Sequence, residues 1–491
     1  MWIVFGIIYI AIFVFLLCKK SKCFYNPVFW MTMSAVFVIG MYYTSGYAYK
    51  YPLRASGLLY YLGVIICFVI GYFGAQKFKL IGQDGLFSAQ CNVLAEKTKA
   101  ISNKVQETKC WKYLTDKFDF LIEKISGIKL YKYVSAKMSF VTEKKGFNRF
   151  YSGMNKSVYF LIAFVGGTIF LIDFCVHNTL FSDDLHTGAV MSSIGVLGKI
   201  CLLLGIIIWL CDLADSVQNN KGLSVAGCCA AIMYFIPALL TSGRQSFILF
   251  IVATVAMFMY SLNVNKEYRY LKHFMLCGII GVGLIVVFCV FVAITRQSVN
   301  NKAALFESMF NCVIPEATEK LFLGMGAVGM FFCEIISYYS HELPMFQVFL
   351  DNWDSYPMLG ASQFQLISQN INQDSAYSFT TMWEKLDLMS ENADVYSHVW
   401  RTISANCIID YGIIGGLIFM VILGYLAGRV YKNVMENNRL NNQVMLSMVN
   451  AGAFFSMQFS PIVEGYWYFP MLWLLIGLPV VNFVVKGVMK K

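Results

Sequence analysis

Charge is the scarcest property of this sequence. Of its 491 residues, 13% are charged and 58% are hydrophobic, whereas a soluble domain carries roughly a quarter charged residues. The shortage extends along the whole chain, and apolar runs of about 17–25 residues recur, which is the length needed to cross a bilayer core of ~30 Å. The composition therefore excludes a soluble globular protein and predicts a polytopic membrane protein.

Motifs for metals and nucleotides are also missing. The 15 cysteines lie mostly within apolar runs and include no CxxC pair or His/Cys cluster at metal-ligand spacing, so we interpret them as small buried hydrophobic residues. His177, Asp183, Asp184 and His186 share a short loop, but their spacing matches no dedicated metal site. No P-loop or glycine-rich dinucleotide fingerprint occurs in the predicted cytoplasmic segments. The sequence therefore predicts no metal and no cofactor.

The hydropathy pattern predicts an all-α polytopic membrane protein with about 11 transmembrane helices and one large external loop. The first apolar run is followed by Lys19, Lys20 and Lys22 and has no basic residue before it, so we interpret it as a membrane anchor and not as a signal peptide. By the positive-inside rule, the distribution of lysine and arginine predicts an external N-terminus and a cytoplasmic C-terminus. The predicted spans lie near residues 2–18, 26–43, 56–76, 157–176, 191–211, 223–241, 246–263, 274–295, 406–428, 443–459 and 470–486.

These spans divide the chain into segments. Residues 1–76 contain transmembrane helices 1–3, residues 157–295 contain helices 4–8, and residues 406–491 contain helices 9–11. Residues 77–156 form a basic cytoplasmic arm with apolar residues at helical spacing, which is typical of amphipathic helices on an anionic leaflet. A solvated surface arm without chemistry is the alternative. Since membrane orientation explains the basic charge, nucleic-acid binding is not predicted.

The second long connection, residues 296–405, is predicted to face outward and is acidic, aromatic and rich in amides. Gly326 to Tyr339 is apolar enough for a helix in the outer interface. Structured connections of about 100 residues usually have a function, and aromatic rings beside amides and carboxylates suit sugar rings. Trp353, Tyr396 and Trp400 are therefore candidate glycan-binding residues, although the composition also suits an interfacial domain.

Three arginines on the predicted external side are candidates for binding a diphosphate. Arg244 ends the Thr241–Arg244 turn and precedes a helix, and helix N-termini and guanidinium groups both bind phosphate oxygens. Arg296 ends the eighth span at the same surface, and Arg401 precedes the ninth. Interfacial anchoring is the alternative for Arg244 and Arg296.

His398 and Asp394 are candidate catalytic residues. In a helix, Asp394 and His398 would be i,i+4 neighbours, and so would Ser397 and Arg401. Glycosyl transfer from a lipid diphosphate needs a base for the acceptor hydroxyl and stabilisation of charge on the departing diphosphate. His398 with Asp394 would serve the first need, and Arg401 with Arg244 the second. A structural role for this histidine is the alternative.

Three further ionisable residues are weaker candidates. Lys199 lies inside the fifth span, nearer its outer end, where an ionisable group suggests function, although lysine also snorkels easily. Glu334 would be half-buried in the apolar helix of the external loop. Asp410 would begin the ninth span, where an acid also fits helix-dipole capping.

Three segments carry a resemblance to a known family. Leu239 to Arg244 resembles its small-residue-Gly-Arg turn, Val395 to Gly415 its passage from loop to late helix, and Phe459-Ser460-Pro461 its last short outer loop. The chain resembles the oligosaccharide repeat-unit polymerases of bacterial O-antigen, capsule and exopolysaccharide synthesis, the Wzy type. Two departures are Ser397, where threonine is more usual, and the long cytoplasmic arm.

The resemblance implies a GT-C-like, metal-independent membrane glycosyltransferase at the external face of the bacterial cytoplasmic membrane. It would transfer a growing glycan from undecaprenyl diphosphate onto a new lipid-linked repeat unit. Its partners would be undecaprenyl-diphosphate-linked oligosaccharides and membrane lipids, with a chain-length regulator protein left open. An O-antigen ligase, a flippase for lipid-linked oligosaccharides and a non-enzymatic scaffold are the competing hypotheses.

Overall fold

The structure is a computed structural model. It describes residues 23–77, 156–178, 191–240, 245–296, 302–353, 356–369, 371, 375–391, 393–395, 401–479 and 481. The helices, numbered in chain order, are α1 (Pro27–Thr44), α2 (Ala55–Lys77), α3 (Lys156–His177), α4 (Ser193–Leu202), α5 (Gly205–Gln218), α6 (Val225–Leu240), α7 (Gln245–Val264), α8 (Leu271–Arg296), α9 (Lys302–Phe310), α10 (Glu316–Gly324), α11 (Gly326–Ser340), α12 (Glu342–Asp351), α13 (Gln365–Ser368), α14 (Phe379–Glu391), α15 (Ile403–Asn437), α16 (Leu440–Phe455) and α17 (Gly465–Leu472). A 3-10 turn (Cys23–Tyr25), a π-helical turn (Trp473–Gly477) and two short strands, β1 (Ala48–Tyr49) and β2 (Cys312–Val313), complete the regular structure of these residues.

Seven helices of the described residues are long and apolar enough to cross a membrane: α1, α2, α3, α4 continuing into α5, α7, α8 and α15. Each overlaps a predicted span, which confirms a helical, membrane-embedded protein. The helices α6 and α16, at two further predicted spans, are 16 residues long. The span near 2–18 and residues 78–155 of the arm lie outside the described residues. The count of about 11 spans therefore stays a prediction.

The connections between helices meet at two opposite ends of the helices. At one end, β1 between α1 and α2 pairs antiparallel with β2 in the long connection, with Ala48 opposite Val313. At the other end, Gln218 Nε2 donates to Gln443 Oε1 (2.8 Å), and the Tyr260 hydroxyl donates to Asn438 Oδ1. When successive helices run in alternating directions, every second connection lies at the same end of the helices. Which end faces the cytoplasm stays a prediction.

Small residues bring α2 and α15 into close contact. A Cβ atom added at Gly424 would collide with the carbonyl oxygen of Phe68, and one at Gly428 with that of Tyr72. Small residues four positions apart are a common device for packing helices in membranes, because they let the backbones approach. The part of α15 that follows Gly424 is therefore fixed directly against α2.

Carboxylates at helix ends hold two helical hairpins. The Asp173 carboxylate accepts hydrogen bonds from the backbone N–H and the hydroxyl of Ser192, which caps α4. The Asp212 carboxylate likewise accepts from the backbone N–H (2.9 Å) and hydroxyl (2.7 Å) of Ser224, just before α6. Each acid thereby satisfies polar groups just before the next helix that would be costly to leave unpaired.

The long connection between α8 and α15 is folded onto the start of α2. Arg54, which precedes α2, donates its backbone N–H to Gln347 Oε1 of α12 (3.0 Å). Its guanidinium also forms an ion pair with Asp351 at 3.2 Å. The helix predicted over Gly326 to Tyr339 is present as α11. These contacts anchor the helices that carry the charged residues described next.

Candidate functional site

Helix α15 consists of two helical segments joined at Gly412. Thr402 caps the first segment, with its hydroxyl oxygen accepting from the backbone N–H of Ala405 (3.1 Å). Gly412 has φ +72° and ψ −178°, a conformation that is essentially restricted to glycine. The indole of Trp353 fills the adjacent space, so that a Cβ at Gly412 would lie 2.7 Å from its Cζ2 atom. The break separates a short first segment, residues 403–411, from the long remainder.

Asp410 lies at the end of this first segment and is fully buried. Its Oδ1 accepts from the backbone N–H of Ser362 (2.9 Å), and its Oδ2 accepts from that of Gln363 (3.0 Å). The prediction that Asp410 begins the span and caps a helix N-terminus is wrong, because α15 begins at Ile403 and Asp410 precedes the glycine break. The carboxylate instead ties the loop around residue 362 to the helix.

The same loop satisfies the carbonyl groups that the break leaves exposed. Met358 donates its N–H to the Ile409 carbonyl (3.0 Å), and Leu359 donates to the Asp410 carbonyl (2.8 Å). The Ser460 hydroxyl, beyond α16, donates to Gln363 Oε1 (2.7 Å). Helix ends leave carbonyls without partners unless a loop or side chain supplies them. The first segment of α15 is thus fixed on several sides.

Arg401 is the central cation of this region and is 7% exposed. Its Nε donates to Asn406 Oδ1 (3.2 Å), and its guanidinium carbon lies 5.0 Å from the centre of the Trp383 ring. Burial lowers the pKa of Arg401 to about 10, while the carboxyl groups of Asp410 and Glu342 act in the opposite direction. The guanidinium therefore remains charged at neutral pH.

Glu342 interacts electrostatically with Arg401, and His341 precedes it in the chain; neither residue was predicted from the sequence. Burial raises the pKa of Glu342 well above its usual value, an effect that Arg401 opposes, and the side chain is 2% exposed. The His341 ring stacks on Phe310 at 3.9 Å between centroids, with Nδ1 3.0 Å from the carbonyl oxygen of Ser337. In the described part of the chain, His341 Nε2 and Glu342 Oε2 have no hydrogen-bond partner. Two adjacent titratable residues between apolar runs are the signal that could have found them.

His341 should make the protein sensitive to mild acid. Burial lowers its pKa to about 4, below the usual value of about 6.5, so the folded state favours the neutral ring. Its contribution to stability is complete above pH 6.5 and is lost as the pH falls toward 4. By pH 5 the contribution of His341 to the free energy of unfolding should be about 2 kcal/mol smaller than at pH 7.5.

The His341→Phe variant tests this effect, because phenylalanine keeps the stacking on Phe310 but cannot take up a proton. Thermal unfolding of both proteins in detergent should be compared at pH 7.5 and pH 5. Glu342, whose pKa is raised, contributes with the opposite sign in both proteins, so the difference between them isolates the histidine. Equal acid sensitivity of the wild type and the variant would show that His341 does not titrate as argued.

The sequence predicted a helix through Asp394 to Arg401, but these two end residues are not helical. Helix α14 ends at Glu391, and Asp394 is exposed with a left-handed φ of +53°. Arg401 also precedes the helical residues of α15. The i,i+4 pairings of Asp394 with His398 and of Ser397 with Arg401 stay predictions, because Ser397 and His398 lie outside the described residues. Tyr396, His398 and Trp400 lie outside the described residues.

The predicted arginines are only partly described. Arg244 lies outside the described residues, and Arg296 is the last residue of α8, with its side chain outside the described part. Trp353, predicted to bind glycan, packs against the break at Gly412. The structure thus brings Arg401 together with Asp410 and places Trp353 beside the same helix.

Glu334 and Lys199 lie in other parts of the fold. Glu334 is on α11 and is buried, not half-buried as predicted. Lys199 is on α4, with its Nζ 5.3 Å from the centre of the Tyr466 ring, and it interacts electrostatically with Glu464. Lys199 is in the last turn of α4, within the apolar stretch Ser193–Gln218, and its depth in the membrane stays a prediction. Lys199 and Glu464 thus form a second set of interacting charges, apart from Arg401, Asp410 and Glu342.

No protein-family model, curated protein or solved structure matches this chain. Within the described ranges, no group of three or more His, Cys, Asp and Glu side chains is arranged to hold a metal ion. The region instead combines an enclosed guanidinium, a carboxylate bound to backbone amides and a buried carboxyl group with a raised pKa.

Proposed function

We propose that this protein polymerises undecaprenyl-diphosphate-linked oligosaccharide repeat units at the external face of the bacterial cytoplasmic membrane. The observation that carries the proposal is the buried centre of Arg401, Asp410 and Glu342, formed where the long connection after α8 meets the first segment of α15. Burying three ionisable groups is costly, and such centres are concentrated at functional sites. The aromatic and amide-rich composition of the same connection is suited to glycan, and the resemblance of three segments to the repeat-unit polymerases adds to this.

In the proposed reaction, the acceptor hydroxyl of a new repeat unit attacks the anomeric carbon of the growing glycan. The bond from that carbon to the diphosphate oxygen breaks, undecaprenyl diphosphate leaves, and the hydroxyl proton passes to a base. His398 remains the proposed base, and Arg244 and Arg296 the proposed diphosphate ligands. Because the Arg401 guanidinium is enclosed, we assign it the role of a positioning residue for the adjoining segment 396–400.

The function is tested by the glycan that a deletion host makes when variants are supplied back. Wild type should restore a ladder of polymer lengths. Arg401→Gln should reduce polymer longer than one repeat by about 100-fold, the loss typical when one group that stabilises the transition state is removed or misplaced. Arg401→Lys keeps the charge without the planar fork, so it should restore part of the ladder. Arg244→Ala and His398→Ala should also leave single-repeat glycan.

Arg54→Gln is the matched control, because Arg54 belongs to the same end of the protein but has a largely exposed side chain. Its ladder should equal that of wild type. Every variant must reach the membrane in normal amount and melt well above the temperature of the assay, because Arg401→Gln leaves buried carboxyl groups without their cation and lowers the melting temperature. Polymer that accumulates on the lipid carrier without transfer would indicate a ligase. Repeat units retained inside the cell would indicate a flippase. An unchanged ladder in all variants would favour a scaffold.

A further inference from the structure

A cavity of about 370 Å³ lies on the long connection between α12 and α14. One wall is formed by Asn352 and Tyr356, at and after the end of α12, and the other by Thr381, Glu384 and Lys385 of α14. The volume is at the lower end of the range of small-molecule pockets, roughly 300–1,000 Å³. It therefore has room for a small polar ligand or for one residue of a longer chain.

Tyr356 supplies a fixed aromatic surface to this cavity. Its ring is stacked on Tyr377, with centroids 6.3 Å apart and planes 14° from parallel, and 46% of the residue remains exposed. The Lys385 ammonium lies 5.5 Å from the ring centre and donates a hydrogen bond to the Tyr356 carbonyl oxygen. An aromatic face carries negative charge density and so attracts the weakly positive C–H groups on one face of a sugar ring.

Hydrogen-bonding groups of both kinds surround this ring. Glu384 is exposed and provides acceptors, whereas the buried Lys385 ammonium donates to the Tyr356 carbonyl. The Asn352 amide, one N–H of which donates to the Val348 carbonyl (2.9 Å), adds a second N–H and an acceptor oxygen, while the Thr381 hydroxyl donates to the Ser375 carbonyl (3.0 Å). A hydroxyl-rich ligand needs donors and acceptors together, beside an apolar face. The adjacent opposite charges of Glu384 and Lys385 disfavour a phosphate or diphosphate, because the carboxylate would repel it.

The walls of the cavity also form the surroundings of Arg401. Trp383, which precedes Glu384 on α14, lies against the Arg401 guanidinium. On the opposite wall, Met358 donates its backbone N–H to the Ile409 carbonyl of α15. Helix α14 and the loop that contains Met358 thus line the cavity and also contact the residues of the buried charged centre.

We propose that this cavity is a saccharide subsite, in which Tyr356 contacts one face of a sugar ring while Glu384 and Asn352 bind its hydroxyl groups. The identity of this sugar as part of the polymerised glycan rests on the proposed function. The subsite holds the glycan chain beside α14 and α15, and the proposed arginine ligands bind the diphosphate.

Binding can be measured separately from polymerisation. The probe is a set of oligosaccharides released by mild acid from the surface glycan of the source bacterium, titrated onto the purified full-length protein by calorimetry. Tyr356→Ala should weaken binding by about tenfold or more, and Glu384→Gln by about fivefold to tenfold, as expected when one such contact is lost. Tyr356→Phe should bind within about twofold of wild type, because the ring remains.

Glu391→Gln is the matched control, because this glutamate is exposed on the same helix and does not line the cavity. Its affinity should equal that of wild type, and inorganic diphosphate should not displace the oligosaccharide. The subsite is overturned if wild type binds no probe at about 10 mM, if diphosphate competes, or if the cavity variants bind as well as Glu391→Gln. A deletion host that still makes a full ladder would overturn the proposed function instead, while the binding data would still decide the subsite.

Discussion

Replacing Asp410 by alanine is expected to lower the free energy of unfolding by about 3–5 kcal/mol, the usual cost of removing one partner from a buried charged group. The variant loses the acceptor for two backbone N–H groups, those of Ser362 and Gln363. It also leaves the buried guanidinium of Arg401 without one of its two opposing carboxyl groups. Unfolding of the purified protein in mixed micelles would measure the loss.

Asp410→Asn provides the graded comparison. Asparagine has the same shape and one acceptor oxygen, so it can keep one of the two amide hydrogen bonds but not the charge. Its loss should lie between those of wild type and alanine, at about 1–3 kcal/mol. If alanine were tolerated within about 0.5 kcal/mol, the usual range for surface substitutions, the carboxylate could not be what holds the loop to α15.

Gly412→Ala is expected to cost about 3 kcal/mol, since two separate effects add. The backbone conformation of Gly412 is strained for any residue with a Cβ, at a cost of about 1–3 kcal/mol, and that atom would also collide with Trp353. Gly412→Val should be worse, because a branched side chain has fewer ways to avoid the indole. Melting temperature in detergent is the direct measurement.

The control for this prediction is Gly74→Ala on α2, where an added Cβ would meet no atom within 4 Å among the described residues. That change should stabilise by about 0.5–1 kcal/mol, because glycine is entropically costly within a helix. Combining Gly412→Ala with Trp353→Ala should remove the collision but not the backbone strain. Equal stability of this double variant and of Trp353→Ala alone would show that the strain at Gly412 is negligible.

Hydropathy was sufficient to locate the long helices of the fold. The predicted span 26–43 corresponds to Pro27–Thr44, and 246–263 to Gln245–Val264, because the signal depends only on local composition. Hydropathy did not give the full length of a helix that continues into polar residues. The span predicted near 406–428 is only part of α15, Ile403–Asn437. The pairing of β1 with β2 could not be predicted from the sequence, because strands of two residues are too short to show the alternation of apolar and polar residues.

The site was less predictable, because its partners are distant in sequence. The charged residues around the start of the ninth predicted span drew attention to Arg401 and Asp410, but the sequence could not reveal that Asp410 binds the amides of Ser362 and Gln363. The residues Asp-Tyr-Gly within an apolar span were attributed to a helix start, whereas Gly412 breaks the helix. Glu342 was missed because its importance comes from burial beside Arg401, which depends on tertiary packing.

The strand pair and its surroundings set an order for assembly during synthesis. The Tyr47 hydroxyl, just before β1, meets that of Ser337, which lies 290 residues later in the chain. At about 5–20 residues per second, the ribosome needs roughly 15–60 s to supply that partner. The hairpin of α1 and α2 therefore enters the membrane first and waits, with its connecting loop unpaired, until the long connection emerges. Substitutions in that loop, such as Tyr49→Ala, should reduce the yield of folded protein in cells more than they reduce the melting temperature of the molecules that complete assembly.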